Sequence, residues 1–320
     1  MQTRFTRLVG CSVPIQQAPM GSISSPDLAV AVADAGGVGT VTSLGVPSDV
    51  FLRRLDDMRA RTDGALAANV LLPDTDPGFL GAVAERVRLL DFFWFDPQPR
   101  LVDLVHRAGA LVGWQVGSVD EACAAVDAGC DVVTVQGLEA GGHVRGYEPL
   151  LPLLPEVLDA VDVPVLAAGG ICDGGTFAEV MRTGADGARI GTLFIATTES
   201  GAHPAYKRAL VDAGDDATVI TNTFADCPLC ATGPRTRVLR SAVDRVEGLE
   251  DDVVATATLG RNRVPVPRRS GLPPSTGVEG HVEAMALYAG AGVGSVSGIR
   301  PVSDVIVDLV AVAERRTHVR

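Results

Sequence analysis

Eight short runs of β-branched and apolar residues, each followed by an amphipathic stretch or a turn, constrain this chain more than any other feature. They are Pro14–Ala18 (PIQQA), Val38–Thr42 (VGTVT), Ala65–Leu71 (ALAANVL), Asp91–Phe95 (DFFWF), Ala110–Val116 (ALVGWQV), Asp131–Gln136 (DVVTVQ), Pro164–Ala168 (PVLAA) and Gly187–Ile190 (GARI). Helix-forming stretches such as SPDLAVAVADAGG and PRLVDLVHRAG lie between them, and several end in Gly after an apolar stripe, the expected C-terminal stop. Repeated strand–helix units of this kind predict an α/β fold, a TIM (β/α)8 barrel. A doubly wound sheet is the competitor, and the strand count and even spacing favour closure. Beyond the last run the rhythm changes. Residues 200–276 carry few strand signals, together with the turn-rich TFADCPLCATGPRTR and PVPRRSGLPPS, and read as a small, mainly helical or irregular subdomain inserted after strand 8. EGHVEAMALYAG and SDVIVDLVAVAERR read as helices that pack back on the barrel. The predicted division is 1–199, 200–276 and 277–320.

Composition narrows the function. The 320 residues are 47% hydrophobic and 21% charged, enough for a sizeable core and unlike a disordered chain. A net charge of -12 argues against nucleic-acid binding, which needs a basic face. No apolar run approaches a membrane span, and the N-terminal MQTRFTRLVGCSVPI lacks the apolar core of a signal peptide, so the expected location is cytoplasmic. The six cysteines (Cys11, Cys123, Cys130, Cys172, Cys227, Cys230) read as reduced thiols rather than a disulfide scaffold. Cys227 and Cys230 form one CPLC pair; no second pair completes a zinc set, and no metal site is expected. The only lysine, Lys207, falls in a helical segment rather than on a barrel strand, so imine chemistry is not expected. Within Arg235–Arg269 eight Arg stand against five acidic residues, a local asymmetry that reads as a solvated face or as a docking surface for an acidic partner.

Chemistry in such a barrel belongs at the C-terminal ends of the strands. After the seventh run comes AAGGICDGG, with Gly169 and Gly170; after the eighth comes RIGT, with Gly191 and Thr192. Two glycine turns from the last two strands let backbone N–H groups approach an anion, and predict a phosphate site. After the sixth run comes QGLEAGGHVRG, from Gln136 to Gly146. Two glycines precede His143 there and leave its imidazole unshielded, so it is the candidate catalytic group, as base or hydrogen-bond donor. Glu139 is either a second base or a loop anchor through backbone N–H groups. His106, His203, His281 and His318 fall in helix-like or terminal contexts and read as structural. No GxGxxG follows the first strand, which leaves a dinucleotide-binding domain without support.

VPIQQAPMG, AANVLLP, QGLEAGGHVRG, VLAAGGICDG and GADGARIGTLFIATTES, in that order, resemble the nitronate monooxygenases, formerly 2-nitropropane dioxygenases. The related FMN-dependent enoyl-acyl-carrier-protein reductases share most of these motifs. The resemblance runs from about Phe5 to Val312 and implies a TIM barrel carrying noncovalent FMN under a covering subdomain. It implies that Ala18, Pro19 and Met20 back the isoalloxazine ring, with Asn69 hydrogen-bonding near it. Gln136, Gly141 and Gly142 would flank the ring and ribityl chain, with Gln115 facing the flavin. Gly169, Gly170, Gly191 and Thr192 would hold the phosphate, Ile190 would be a further cofactor-binding residue, and His143 falls on the family's active-site histidine. Three positions depart from the pattern. Gln16 replaces an aliphatic residue. Arg189 stands where Gln is common, and would pair with phosphate or alter the flavin's electron affinity. Ala291 also stands where Gln is common.

The implied reaction is oxidation of alkyl nitronates with O2 to a carbonyl compound and nitrite. A second reading is an FMN-dependent reductase or dehydrogenase that uses NAD(P)H on an acyl or enoyl thioester, with the Arg-rich segment meeting an acidic carrier protein. A third is a non-catalytic barrel that binds flavin or another phosphate ligand.

Overall fold

The computed structural model describes residues 1–71, 75–225, 235–259 and 262–317; the Cys227–Cys230 pair and His318 lie outside these residues. The strands are β1 (Ile15–Gln17), β2 (Val38–Thr42), β3 (Ala65–Val70), β4 (Leu89–Phe92), β5 (Leu111–Val116), β6 (Val132–Gln136), β7 (Gly142–His143), β8 (Val165–Ala168), β9 (Gly187–Ile190), β10 (Thr218–Thr221), β11 (Thr236–Leu239), β12 (Val253–Leu259), β13 (Asn262–Pro267) and β14 (Glu279–Gly280). β1 to β6, β8 and β9 form a closed barrel, parallel throughout and sealed where β1 pairs with β9. This is the predicted TIM barrel.

Its strands match the eight apolar runs, with one shift. β4 begins at Leu89 rather than Asp91 and ends at Phe92, so Phe93–Phe95 form a loop at the barrel mouth. The apolar run is longer than the strand, and the chain leaves the ladder through Trp94, whose φ is +83°. Alternation along the strands sorts the interior into layers. At the bottom, Val38, Ala67, Leu89, Val132 and Leu166 pack on Phe5 and Val9 of the helix Arg4–Val9, which plugs that end. Above them the interior turns polar, with Gln16, Thr40, Asp91, Thr134 and Arg189 all buried. Gly113 faces Asp91 in register, and a Cβ there would lie 2.2 Å from the Asp91 Oδ1, so glycine makes room for the carboxylate.

The mainly helical expectation for the segment after β9 is corrected. The helices Pro204–Val211 and Arg240–Glu247 are present, but two three-stranded sheets accompany them, β10–β11–β7 and β13–β12–β14. The expected helix in EGHVEAMALYAG is a 3-10 turn, Val282–Ala284, followed by extended chain. There Leu239 N–H donates to the Leu287 carbonyl and Ala289 N–H to that of Arg237, so the apolar run is buried beside β11 instead of coiling. The final helix, Val302–Thr317, packs on the helix Gly174–Thr183.

No helix among the described residues is long and apolar enough to cross a membrane. Lys207 Nζ donates to the carbonyls of Thr197 (2.7 Å) and Ser200 (3.0 Å), a structural engagement.

Candidate active site

A cavity of about 220 Å³ opens at the C-terminal ends of the strands, where the barrel meets the later segment. Ala18, Pro19, Met20, Asn69, Gln115, Gln136, Gly141, Gly142, His143, Gly169, Gly170, Arg189, Ile190, Gly191 and Thr192 all line it. Thus His143 and the residues that the resemblance assigns to the cofactor line one cavity, although they come from strands far apart in the chain; Glu139 is not among the lining residues.

On the β8–β9 side the lining is backbone. Gly169 and Gly170 have φ of +113° and +71°, a region costly for other residues. Among the described residues the N–H groups of Gly170, Gly191 and Thr192 have no backbone acceptor. The Thr192 hydroxyl accepts from the Gly290 N–H at 2.9 Å, which leaves its own proton to donate. A Cβ on Gly170 would sit 3.0 Å from the Glu139 Cβ, so a side chain would crowd this cradle. Unpaired donors in a bare cradle fit a phosphate.

The opposite side is built from side chains. Gln136 lines the cavity, and its amide holds the loop: Nε2 donates to the His143 carbonyl at 2.9 Å and Oε1 accepts from the Arg145 N–H at 3.0 Å. It therefore sets where His143 stands. Glu139 is the loop anchor of the two alternatives, since its Oε2 accepts the Leu150 N–H at 2.9 Å. β7 pairs with β11, placing His143 opposite Thr236. The imidazole packs edge-on to Trp94 (centroids 5.5 Å) and tilted against Tyr288 (5.9 Å). Neither ring nitrogen is hydrogen-bonded by another described residue, and Nε2 is shut off from water. An unpaired buried nitrogen is costly, about 1–3 kcal/mol, and calls for an explanation in function. The other described histidines differ: His106 meets Asp131 at 2.8 Å, His203 accepts from the Ala205 N–H at 3.1 Å, and His281 lies 3.5 Å from Glu283.

Arg189 lines the cavity, and its guanidinium is held inside the barrel. Its guanidinium is engaged by Asp91, by Gln16 Oε1 (3.0 Å) and by Gln115 Oε1 (3.0 Å), all within the barrel. Asn69 donates to the Asp91 carbonyl (3.2 Å) and accepts from the Thr42 hydroxyl (3.3 Å). Ala291 lies outside the lining, where its N–H donates to the Glu139 carbonyl.

The sequence reading missed several lining residues: Leu44, Leu71, Phe93, Trp94, Cys172, Tyr206 and Tyr288. The aromatic run FFWF at a strand end was a signal for Trp94; Tyr288, remote in sequence, had none. Cys172 is no nucleophile, because burial pushes its thiol up to about 12 and keeps it protonated.

A family model for nitronate monooxygenases matches residues 2–79 and 79–312. A relative from Mycobacterium tuberculosis, named (3aS,4S,5R,7aS)-5-hydroxy-7a-methyl-1-oxo-octahydro-1H-indene-4-carboxyl-CoA dehydrogenase, is 34% identical across 78% of this chain and 69% of its own. The nitronate monooxygenase of Pseudomonas aeruginosa is 30% identical across 70% of this chain and 78% of its own. Among solved structures, FabK from Thermotoga maritima superposes with a TM-score of 0.82 at 28% identity, covering 99% of this chain and 97% of that one. Nitroalkane oxidase from Streptomyces ansochromogenes does so at 0.80 and 30%, covering 99% and 100%. The barrel, its bare-amide cradle and its unpaired histidine thus coincide with a motif set that spans the chain, which belongs to the nitronate monooxygenase family of oxidoreductases.

Proposed function

We propose that this chain is an FMN-dependent nitronate monooxygenase, oxidising alkyl nitronates with O2 to a carbonyl compound and nitrite, with His143 as its catalytic residue. The observation that carries the reading is the unengaged imidazole on the same cavity as the unpaired amides of Gly170, Gly191 and Thr192. Those amides would hold the FMN phosphate, and Ala18, Pro19 and Met20 would back the ring. FMN, when bound, supplies the electron acceptor and the route to dioxygen.

The remaining work falls to the protein. A nitronate arrives already charged, so protonated His143 gives an N–H to its nitro oxygens; neutral His143 takes the α-proton when the nitroalkane is the substrate. Gln136 holds the loop that carries the imidazole, and the Trp94 and Tyr288 rings limit its rotation. Leu44, Leu71 and Phe93 supply apolar wall that keeps water from the reacting atoms.

The test is anaerobic mixing of the FMN-loaded protein with propionate 3-nitronate, then with NADPH. Bleaching by the nitronate is the expected result; bleaching by NADPH alone overturns the reading. His143→Asn should keep FMN and lose about 10²-fold or more in turnover; full activity removes His143 from the mechanism.

One observation favours a second reading: the relative at 34% identity is named as a CoA-thioester dehydrogenase. On that reading the flavin acts on an acyl or enoyl thioester, with an acidic carrier protein meeting the Arg235–Arg269 segment.

A further inference from the structure

The Arg189 side chain is 1% exposed and that of Asp91 0%, so a full ion pair is buried inside the barrel. Desolvating two charges is expensive, and well-packed apolar residues usually serve stability as well or better. The surrounding geometry supplies a reason for the pair. Gln16 stands opposite Arg189 in the β1–β9 register, and its Oε1 accepts from both Nε (3.3 Å) and Nη2 (3.0 Å). The Gln16 Nε2 donates to Asp91 Oδ2 at 2.6 Å, which closes the ring of contacts and leaves the guanidinium one place to stand. From there Nη1 donates to Gln115 Oε1 at 3.0 Å.

A guanidinium can only donate, so it fixes which end of the Gln115 amide faces it. The oxygen turns to Arg189 and the nitrogen turns away. Gln115 lines the cavity, and its Nε2 has no hydrogen-bond partner among the described residues. Nor is that nitrogen among the buried atoms left unpartnered, which places it on the open side.

We propose that Arg189 is a positioning residue: held by Asp91 and Gln16, it locks the Gln115 amide so that its N–H groups are presented to the cavity as donors for the acceptor edge of a planar heterocycle. This rests on the flavin reading, where that edge belongs to the pyrimidine end of the isoalloxazine. The Arg189–Asp91 pair is itself neutral, so the floor contributes direction rather than net charge. Donors fixed in place favour the ligand state with more negative charge, so the reduced flavin gains more from Gln115 than the oxidised one does.

The experiment compares wild type, Gln115→Ala, Arg189→Gln and the double variant by FMN affinity and midpoint potential. Gln115→Ala leaves the buried pair intact and should weaken reduced FMN about tenfold relative to oxidised FMN, lowering the two-electron potential by about 30 mV. Arg189→Gln should move the potential the same way, and the double variant no further than Gln115→Ala alone. If Arg189→Gln fails to fold with Asp91 unpaired, Arg189→Gln with Asp91→Asn keeps the layer neutral. An unchanged potential in both single variants, or additive shifts, overturns the proposal. The side-chain 15N resonance of Gln115, identified by its loss in Gln115→Ala, separates this claim from the flavin reading. It should shift in Arg189→Gln protein without FMN, and an unmoved resonance rejects the positioning role. A wild-type chain that takes up no FMN rejects the flavin reading alone, and the resonance still decides the role of Arg189.

Discussion

On the β8–β9 side of the cavity the donors are backbone amides of Gly170, Gly191 and Thr192, whereas on the β6 side the working parts are side chains gathered from distant segments. The first side needs only two turns of the right shape: Gly170 presents its N–H from a positive φ, and Gly191 and Thr192 present theirs at the start of the short helix Thr192–Ile195. The second needs the loop after β6, the aromatic tip of β4, strand β11 and the extended chain carrying Tyr288 to arrive together. One half is local and the other cooperative. Damage should therefore fall on ligand affinity in the first half, and on fold or turnover in the second.

The largest effect expected from a substitution that sharpens this contrast is at Gly141. A Cβ there would lie 2.6 Å from the backbone of both Ala289 and Gly290, neither of which can step aside. Gly141→Val should cost about 3 kcal/mol, read as a lowered urea midpoint. Next is Gln136→Leu, which strips the hydrogen bonds that hold the His143 carbonyl and the Arg145 N–H. It should cost about 2 kcal/mol and reduce turnover while sparing FMN affinity. Weakened FMN binding in that variant would make Gln136 a ligand contact as well as a loop anchor. Gly170→Ala, at a φ of +71°, should cost about 1–2 kcal/mol and appear mainly as weaker FMN binding. Normal affinity in that variant would break the local side of the comparison.

The smallest effect is at Asp173, which caps the helix Gly174–Thr183 just beyond the glycine turn. Burial pushes its carboxyl up, but hydrogen bonds from Thr176, Ser295 and Gly175 outweigh this and hold it below its ordinary value. A depressed carboxyl contributes stability that is present above its unfolded-state value and is lost as pH falls through the folded-state one. Asp173→Ala should cost about 1 kcal/mol at neutral pH and flatten part of the acid limb of stability against pH.

Much of the fold was legible because strand and helix periods repeat, and because Gly stops recur between them. The shifted β4 shows the limit: Leu89 to Phe95 is nearly unbroken apolar sequence, and nothing local says where the ladder ends. The later sheets were missed for a related reason. AMALYA suits a helix by propensity, and only β11 alongside it makes an extended path better. Arg189 was visible as an odd residue in a strand, but its partners Asp91 and Gln115 sit on other strands, so its role depended on register.

Taken alone, the amino-acid order determined the barrel, the two glycine turns and the single histidine worth suspecting, because hydrophobic period and backbone freedom are properties of adjacent residues. Only the tertiary structure decided that Gln136 serves the loop, that Glu139 is an anchor, that Arg189 pairs with Asp91, and that Trp94 and Tyr288 flank His143. The Gln136 and Glu139 bonds close within the loop after β6, and the Arg189, Trp94 and Tyr288 contacts join residues about 50 to 145 positions apart; in both cases a hydrogen bond or a ring contact exists only once the folded chain has brought its partners within a few ångströms.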